Sequence, residues 1–515
     1  MPDAPSLFLH NLRLGWATNS SSSHSLIFLP GRSDESLVAG HEYHDEHFVL
    51  ASPEAKKPYL RLQLDGAGLA GALTDLVGGP MGEGQVNHQT RWTGPPELLE
   101  EIAVWAMKEG VVILGGGDGN PHPDTDFEKG LDPSMFGRAR ARRDPLGFWT
   151  VLEDYRGRRV RFSFGRAASP LVTPFRATWP ELVDLKITGR CRADCAYCYQ
   201  DSRPDGRHAP LSALLPIIEK LEEAQVLEVV LGGGEPTEHP DFHAILAAIQ
   251  KAGMRAAFTT RRLEWMDEQQ QAVDVDWRRI AWAYSVESDE DVERVDAKVR
   301  SIPPKTSTAW LPAIHVVLGT EAARPSTLAK IAKTCQARYL RLVLLGFKAT
   351  GRGARMAPAD DSHWIATLTE AGVREVSIDT ALAERSERAL RSAGIPEWLY
   401  DVEDGRFSMY VDAVRGLCGP SSWCEPEAMR PLPAGEKAIE RAFDEINRRL
   451  GPPRRQRGLE LEQLDAQRAG DAKRLVLLDA AMEGRCERCG GPDAMPDAGG
   501  LERPRALCPR CLEKK

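Results

Sequence analysis

No run of about 18 consecutive apolar residues occurs anywhere in the 515 residues, so no segment is long enough to cross a bilayer as a helix. The opening MPDAPSLFLHNLRLGW lacks the charged start and long apolar core of a secretory signal. A cytoplasmic protein without membrane contact is therefore expected. An excess of positive charge is missing too: 66 Lys and Arg stand against 75 Asp and Glu, a formal charge of −9. Gripping bare nucleic acid needs a basic face for counterion release, which makes nucleic acid an unlikely partner of the whole chain. The ten cysteines do not read as a disulfide framework either, because a reducing compartment keeps thiols free and most of the ten fall in short-spaced sets. Metal ligation is the better reading. At 42% apolar residues the chain can build real cores, and its length predicts two to four domains.

Four regions separate by texture. Residues 1–175 mix short apolar runs with Gly, Pro and His, and are expected to form an accessory, substrate-recognising α+β domain. Residues 180–395 alternate strand-like and helix-like segments. Residues 396–480 extend that region and end in a charged helical linker, and 481–515 form a small cysteine-bearing module. In the central region, strands are predicted at 183–188, 228–231, 256–260, 280–286, 314–318 and 340–344. Between them Leu214, Ile218 and Leu221, then Phe242, Ile245, Leu246 and Ile249, then Leu328, Ile331, Ala332 and Cys335 recur at helical spacing. Gly253 is placed to stop the second helix. Repeated strand–helix units imply right-handed crossovers and a parallel sheet. Six units fall short of a closed eight-stranded barrel, so the fold class is α/β, a partial parallel (β/α)6 barrel.

The segment LKITGRCRADCAYCYQD runs directly out of the first of these strands. Cys191, Cys195 and Cys198 can converge from one loop on one iron–sulfur cube. Such clusters usually take four thiolates, so three leave one iron open to a small molecule. An incomplete ligand set signals chemistry, as it does in catalytic zinc sites. After the second strand comes Gly232-Gly233-Gly234-Glu235-Pro236-Thr237, whose glycines let main chain approach a ligand closely.

Cys-x3-Cys-x2-Cys at the end of a first barrel strand, with the aromatic Tyr197 before the last cysteine, resembles the signature of radical S-adenosylmethionine (radical SAM) enzymes. GGGEP one βα unit later resembles that family's GGEP motif. The resemblance covers about 180–350. It implies a [4Fe–4S] cluster whose open iron is chelated by S-adenosylmethionine (SAM), reductive cleavage of SAM to a 5′-deoxyadenosyl radical, and hydrogen abstraction from substrate. By the same resemblance Gly233, Gly234 and Glu235 contact the methionine amino group, and Ser285 and Glu287 sit where SAM ribose or carboxylate contacts occur. Thr259 and His315 are further candidates at strand ends. A reductant such as flavodoxin or ferredoxin is implied as partner.

Cys486, Cys489, Cys508 and Cys511 form a C-x2-C…C-x2-C set that reads as a zinc-ribbon-like site, with an auxiliary iron–sulfur cluster as the rival. A tail this short needs metal to hold it folded. Cys418 and Cys424 read as ordinary cysteines and Cys335 as core. His41, His44 and His47, among charged neighbours, read as a solvated segment. Gly115-Gly116-Gly117 reads as a turn, Arg454-Arg455-Gln456-Arg457 as a solvated hinge, and the serine run at 19–25 as a polar loop.

The expected function is an oxygen-sensitive radical SAM enzyme acting on a peptide or protein, since the additional regions leave room for a macromolecular substrate. An RNA-modifying enzyme and a non-catalytic Fe–S regulator are the alternatives. The whole cluster and SAM machinery lies after residue 180, which predicts that 1–175 recognise substrate without helping to make the radical.

Overall fold

In the computed structural model the described residues are 6–13, 27–30, 48–69, 71–80, 95–108, 111–115, 139–153, 159–165, 175–268, 274–301, 311–373, 376–393, 395, 400–455, 495–497 and 505–507. Cys486, Cys489, Cys508 and Cys511, the three histidines at 41, 44 and 47, and the serine run all lie outside them.

The N-terminal region contains two small antiparallel sheets. One joins β2 (Ile27–Pro30), β4 (Val111–Gly115) and β3 (Phe48–Leu50) in that order, beside helices Pro53–Gly66 and Pro96–Ala106. Its core gathers Leu50, Tyr59, Leu60, Leu64, Leu99 and Ile113. The other runs β1 (Ser6–Arg13), β7 (Arg159–Gly165), β6 (Trp149–Glu153), β5 (Ala139–Arg143).

The central region is one large, mostly parallel sheet. Strands β8 (Leu182–Thr188), β9 (Glu228–Gly233), β10 (Arg255–Thr260), β11 (Ile280–Ser285), β12 (Ala313–Val317), β13 (Arg341–Leu345) and β14 (Ser377–Ile378) lie in sequence order, each parallel to the one before. The six expected strands are thus present. The sheet continues past them on both sides, because β15 (Ser408–Asp412) returns to pair parallel with β8. Antiparallel β16 (Leu417–Gly419) and β17 (Arg430–Pro431) complete that edge.

Crossovers that always advance to the next strand carry their helices to one face. That face is apolar. Val183, Leu185 and Ile187 of β8 enter one core with Leu214, Ile218 and Leu221 of helix Leu211–Glu223 and with Ile245, Leu246 and Ile249 of helix Phe242–Lys251. Cys335 is buried there as well, its thiol pushed up to about 12 by burial. A parallel strand packed on both faces reads as a continuous apolar run. Here alternate positions are instead polar or small: Asp184, Arg255, Ala257, Thr259, Ala283 and His315 line part of a cavity of about 1170 Å³. The broken apolar pattern is the local reason that a cavity exists.

Strand β7 closes the N-terminal end of this sheet. Arg161 donates through Nε to Glu181 at 2.9 Å and through Nη1 to Asp401 at 3.1 Å, with its guanidinium 3.5 Å from the Phe407 ring centroid. Arg142 donates to the carbonyls of Pro180, Trp179 and Gln225. Burial alone would raise the Glu181 and Asp401 carboxyls, but the arginines, Arg161 foremost, hold both below the usual carboxylate range. These contacts bridge residue 175, so a chain cut there would lose the arginines and keep the acids they neutralise. The first residues of the supposed hinge are docked as well. Arg454 pairs with Glu384, and Arg455 lies over the Tyr400 ring at 5.0 Å.

Candidate active site

The three cysteines of the first loop are free and half-buried, directly beyond the C-terminal end of β8. The loop is closed at its base, where Cys191 N donates to Arg203 O at 3.0 Å and Arg203 N to Gly189 O at 3.2 Å. Within it Cys198 N donates to Cys195 O at 3.1 Å, and Asp194 takes a left-handed φ of 45°.

The glycine motif packs against this loop rather than standing open. Gly234 N donates to Thr188 O at 2.7 Å and Glu235 N to Arg190 O at 2.8 Å, extending the β8–β9 pairing into the cysteine segment. A Cβ on Gly233, at φ 109°, would lie 2.1 Å from Thr188 O, and one on Gly234 would lie 1.9 Å from Arg190 O. Both glycines are thus required by the approach of two main chains. Glu235 turns inward and is buried. Its carboxylate accepts from Thr237 Oγ1 at 2.7 Å, Thr260 Oγ1 at 2.8 Å and Arg261 N at 3.0 Å, tying the loops after β9 and β10 together. Burial raises its pKa, and those donors oppose the shift.

The other sequence candidates divide. Glu287 joins the cysteine loop, accepting from Tyr197 Oη at 3.0 Å and from Arg261 Nη1 at 2.7 Å. Thr259 and His315 line the cavity, and Ser285 is the register neighbour of His315. Cys418 is buried in β16, and Cys424 Sγ lies 3.5 Å from Met429 Sδ; neither approaches another cysteine of the first loop in any hydrogen bond.

Two arginines to which the sequence assigns no specific role organise the loop. Arg261 Nη1 lies 3.2 Å from Cys195 Sγ. Arg352, in the Gly351-Arg352-Gly353 segment after β13, donates through Nε to Cys195 O at 2.9 Å, through N to Cys198 O at 2.9 Å and through Nη1 to Ser202 O at 2.8 Å. Gly351 allows this, since a Cβ there would lie 2.5 Å from Tyr199 O. Only the glycines flanking Arg352 hinted at such close packing.

Deeper in the cavity Lys348 pairs with Asp379 at 3.3 Å and faces the Tyr199 ring at 4.9 Å. Asp404 accepts from Trp423 Nε1 at 2.9 Å, and burial pushes its carboxyl up to about 6. Burial, assisted by Arg341 and Lys348, drops His315 to about 3, so its imidazole stays neutral. An unfolded histidine protonates near 6.5 and this one does not, so the folded state loses stability as pH falls from about 6.5 towards 3. Replacing it by leucine removes that loss. Between pH 7 and 5.5 the His315→Leu protein should lose about 1 kcal/mol less unfolding free energy than the parent, by denaturant titration. Equal losses would mean that the imidazole titrates normally.

Three thiols from one loop are a donor set suited to iron–sulfur ligation. Burial pushes the Cys191 thiol up to about 11, and the neighbouring charges of Glu235, Cys195 and Cys198 add to that. Mutual repulsion among the thiolates is what a cationic cluster would relieve. Among the described residues no three His, Cys, Asp or Glu side chains are grouped to hold a single metal ion. In donor chemistry the loop suits a cluster, which takes one thiolate at each corner. Residues 185–273, from β8 through β10 and this loop, match the family model of the Radical SAM superfamily. That segment of the chain is similar to the Radical SAM superfamily.

Solved structures similar to this chain include Streptococcus suis SuiB bound to precursor peptide SuiA, at 13% identity over 48% of this chain and 60% of that one, TM-score 0.35. SuiB bound to S-adenosylmethionine aligns at 13% identity over 48% and 62%, TM-score 0.36. The chain thus spans about 60% of the length of those proteins. No curated protein sequence matches it. Among the described residues no helix is long and apolar enough to cross a membrane.

Proposed function

We propose that the chain uses Cys191, Cys195 and Cys198 to hold a [4Fe–4S] cluster at the mouth of the cavity, and acts there on a peptide or protein substrate. The observation that carries this reading is the joined frame of β8, the cysteine loop and Gly233-Gly234, in which main-chain bonds lock the cysteine loop to the glycine motif. When bound, such a cluster supplies the electron that cleaves SAM to a 5′-deoxyadenosyl radical for hydrogen abstraction. The chain's own residues position and shield. Arg352 clamps the loop from beneath, and the sheet's second face gives a closed-floored space in which Asp184, Lys348, Asp404 and Tyr410 offer polar partners. Substrate entry from the cysteine side would suit a side chain or chain segment reaching inward. A small protein reductant such as flavodoxin or ferredoxin would deliver the electron, and Gly233 and Gly234 would place main-chain groups near the SAM methionine. Residues 1–115 remain for substrate recognition, whereas β5–β7 serve the floor. The four distal cysteines, Cys486, Cys489, Cys508 and Cys511, suit zinc.

Anaerobically reconstituted protein should be brown, and after reduction by dithionite should convert SAM to 5′-deoxyadenosine. Cys195→Ala should lose both properties. Normal SAM cleavage by that variant would end this reading.

A further inference from the structure

Cys195 receives a charged hydrogen bond. Among the described residues the only side chain that donates to a sulfur of the cysteine loop is Arg261, Nη1 to Sγ at 3.2 Å; the sulfur of Cys191 accepts only the Ala193 main-chain N–H, at 3.5 Å. The position of Arg261 is held at both ends of its peptide. Its N donates to Glu235 Oε2 at 3.0 Å, and its O accepts from Tyr284 Oη at 3.1 Å. The guanidinium is in turn shared, with Nη1 3.3 Å from Tyr197 Oη and 2.7 Å from Glu287 Oε1. The Arg261 side chain is 26% exposed and that of Glu287 50%.

We propose that Arg261 sets the reduction potential of the cluster held by this loop, raising it through the Cys195 sulfur, while Glu287 is the counter-charge that limits the rise. The inference rests on the functional reading above. A cluster ligated by three thiolates gains one more negative charge on reduction. A cation in contact with a ligating sulfur stabilises the reduced form more than the oxidised one, and hydrogen bonds to sulfur and net charge are among the factors that set such potentials. Glu287 acts in the opposite sense on the same guanidinium. Its greater exposure gives it the weaker field, because solvent screens it more. The arginine therefore wins. Tyr197 bridges the two and fixes their geometry: its hydroxyl donates to Glu287 while accepting from Arg261.

The test is a redox titration of the reconstituted full-length protein without SAM or substrate, followed by the EPR signal of the reduced cluster, with iron and sulfide counted for every variant. Arg261→Met keeps the stem and removes the charge. Its reduced-to-oxidised ratio at a fixed potential should fall about tenfold, equivalent to about 59 mV for a one-electron couple. Arg261→Lys should retain most of the parent potential, and Glu287→Gln should shift the ratio the other way by a smaller factor. If Arg261→Met carries a full cluster at the parent potential, the proposal is wrong and the arginine is only a structural contact. If Arg261→Met fails to load, Glu287→Gln decides: an unchanged or lowered ratio overturns the proposal. A parent protein that binds no cluster would instead remove the functional reading beneath it, so the two failures are told apart by iron content.

Discussion

Gly234→Ala should cost the enzyme at least about 100-fold in SAM cleavage and most of its cluster, because the new methyl meets main chain that has nowhere to go. A Cβ at that position lies 1.9 Å from Arg190 O and 2.6 Å from Arg190 C, and Arg190 immediately precedes Cys191. Relief would require moving the start of the cysteine loop, and displacements near 1 Å at a reacting centre already cost about 100-fold. The adjacent Gly232 provides the control. Its Cβ would meet only the Asp184 carboxylate, Oδ1 at 3.0 Å, a side chain that can turn. Gly232→Ala should therefore keep its iron and stay within about tenfold of the parent, a loss small beside the 100-fold expected of a displaced loop. The measurement is iron content with 5′-deoxyadenosine formation, for both variants in parallel. Full activity in Gly234→Ala would show that the glycine motif and the cysteine loop are not locked together.

The second large effect is on stability. Arg161→Ala should destabilise the protein by about 3 kcal/mol, the lower end of what stranding a buried ion pair costs. Glu181 is 1% exposed and would keep Arg159, at 3.4 Å, the Thr150 hydroxyl and more distant charge as compensation. Asp401 would lose its closest cation as well. Both acids are held below their usual range in the folded protein. Their contribution is therefore present above the unfolded carboxylate pKa near 4 and is lost as pH falls through their folded values. Arg176→Ala is the contrast. Its 3.9 Å pair with Asp444 is largely exposed, 41% and 74%, and exposed pairs are worth about 0–1 kcal/mol. Chemical denaturation of both variants near neutral pH gives the comparison, and a loss below about 1 kcal/mol for Arg161→Ala would contradict a buried network of this kind.

The parts of this molecule readable from sequence were those with a local rule behind them. Each expected strand from β8 to β13 is present within two residues, since helices between strands announce themselves by an apolar stripe and strands by their bounded apolar runs. All four residues of the stripe Leu328, Ile331, Ala332 and Cys335 are buried. The cysteine and glycine motifs were visible because their chemistry needs short spacing. What escaped was non-local. Nothing in the residues of β15 says that it pairs with β8 rather than following β14. Arg261 and Arg352 look like any other arginines in a sequence with 66 basic residues, and their roles come from contacts between loops far apart in the chain. Gly233 and Gly234 were noticed for the right reason, close approach, yet the chain they approach is the cysteine loop itself. The charged floor was missed for a similar cause: Arg161, Glu181 and Asp401 are widely separated, and buried ion pairs have no sequence period.

The return of β15 to β8 has a consequence for how the protein is made. Strand β8 leads into the cysteine loop, and its two neighbours are β9, available within about fifty residues, and β15, which follows more than two hundred residues later. At usual synthesis rates that second neighbour emerges roughly 10 to 45 s after β8. For that interval the strand beneath the thiols presents an unpaired edge, the kind of surface that templates aggregation. The order of β9 to β14 lets the growing sheet extend only away from β8, so none of those strands can cover it. A nascent chain would thus carry three free thiols on an incompletely supported strand until Asp412 has left the ribosome. Cluster insertion then belongs to the finished chain, and low temperature or slow translation during expression should prolong the vulnerable stage rather than relieve it.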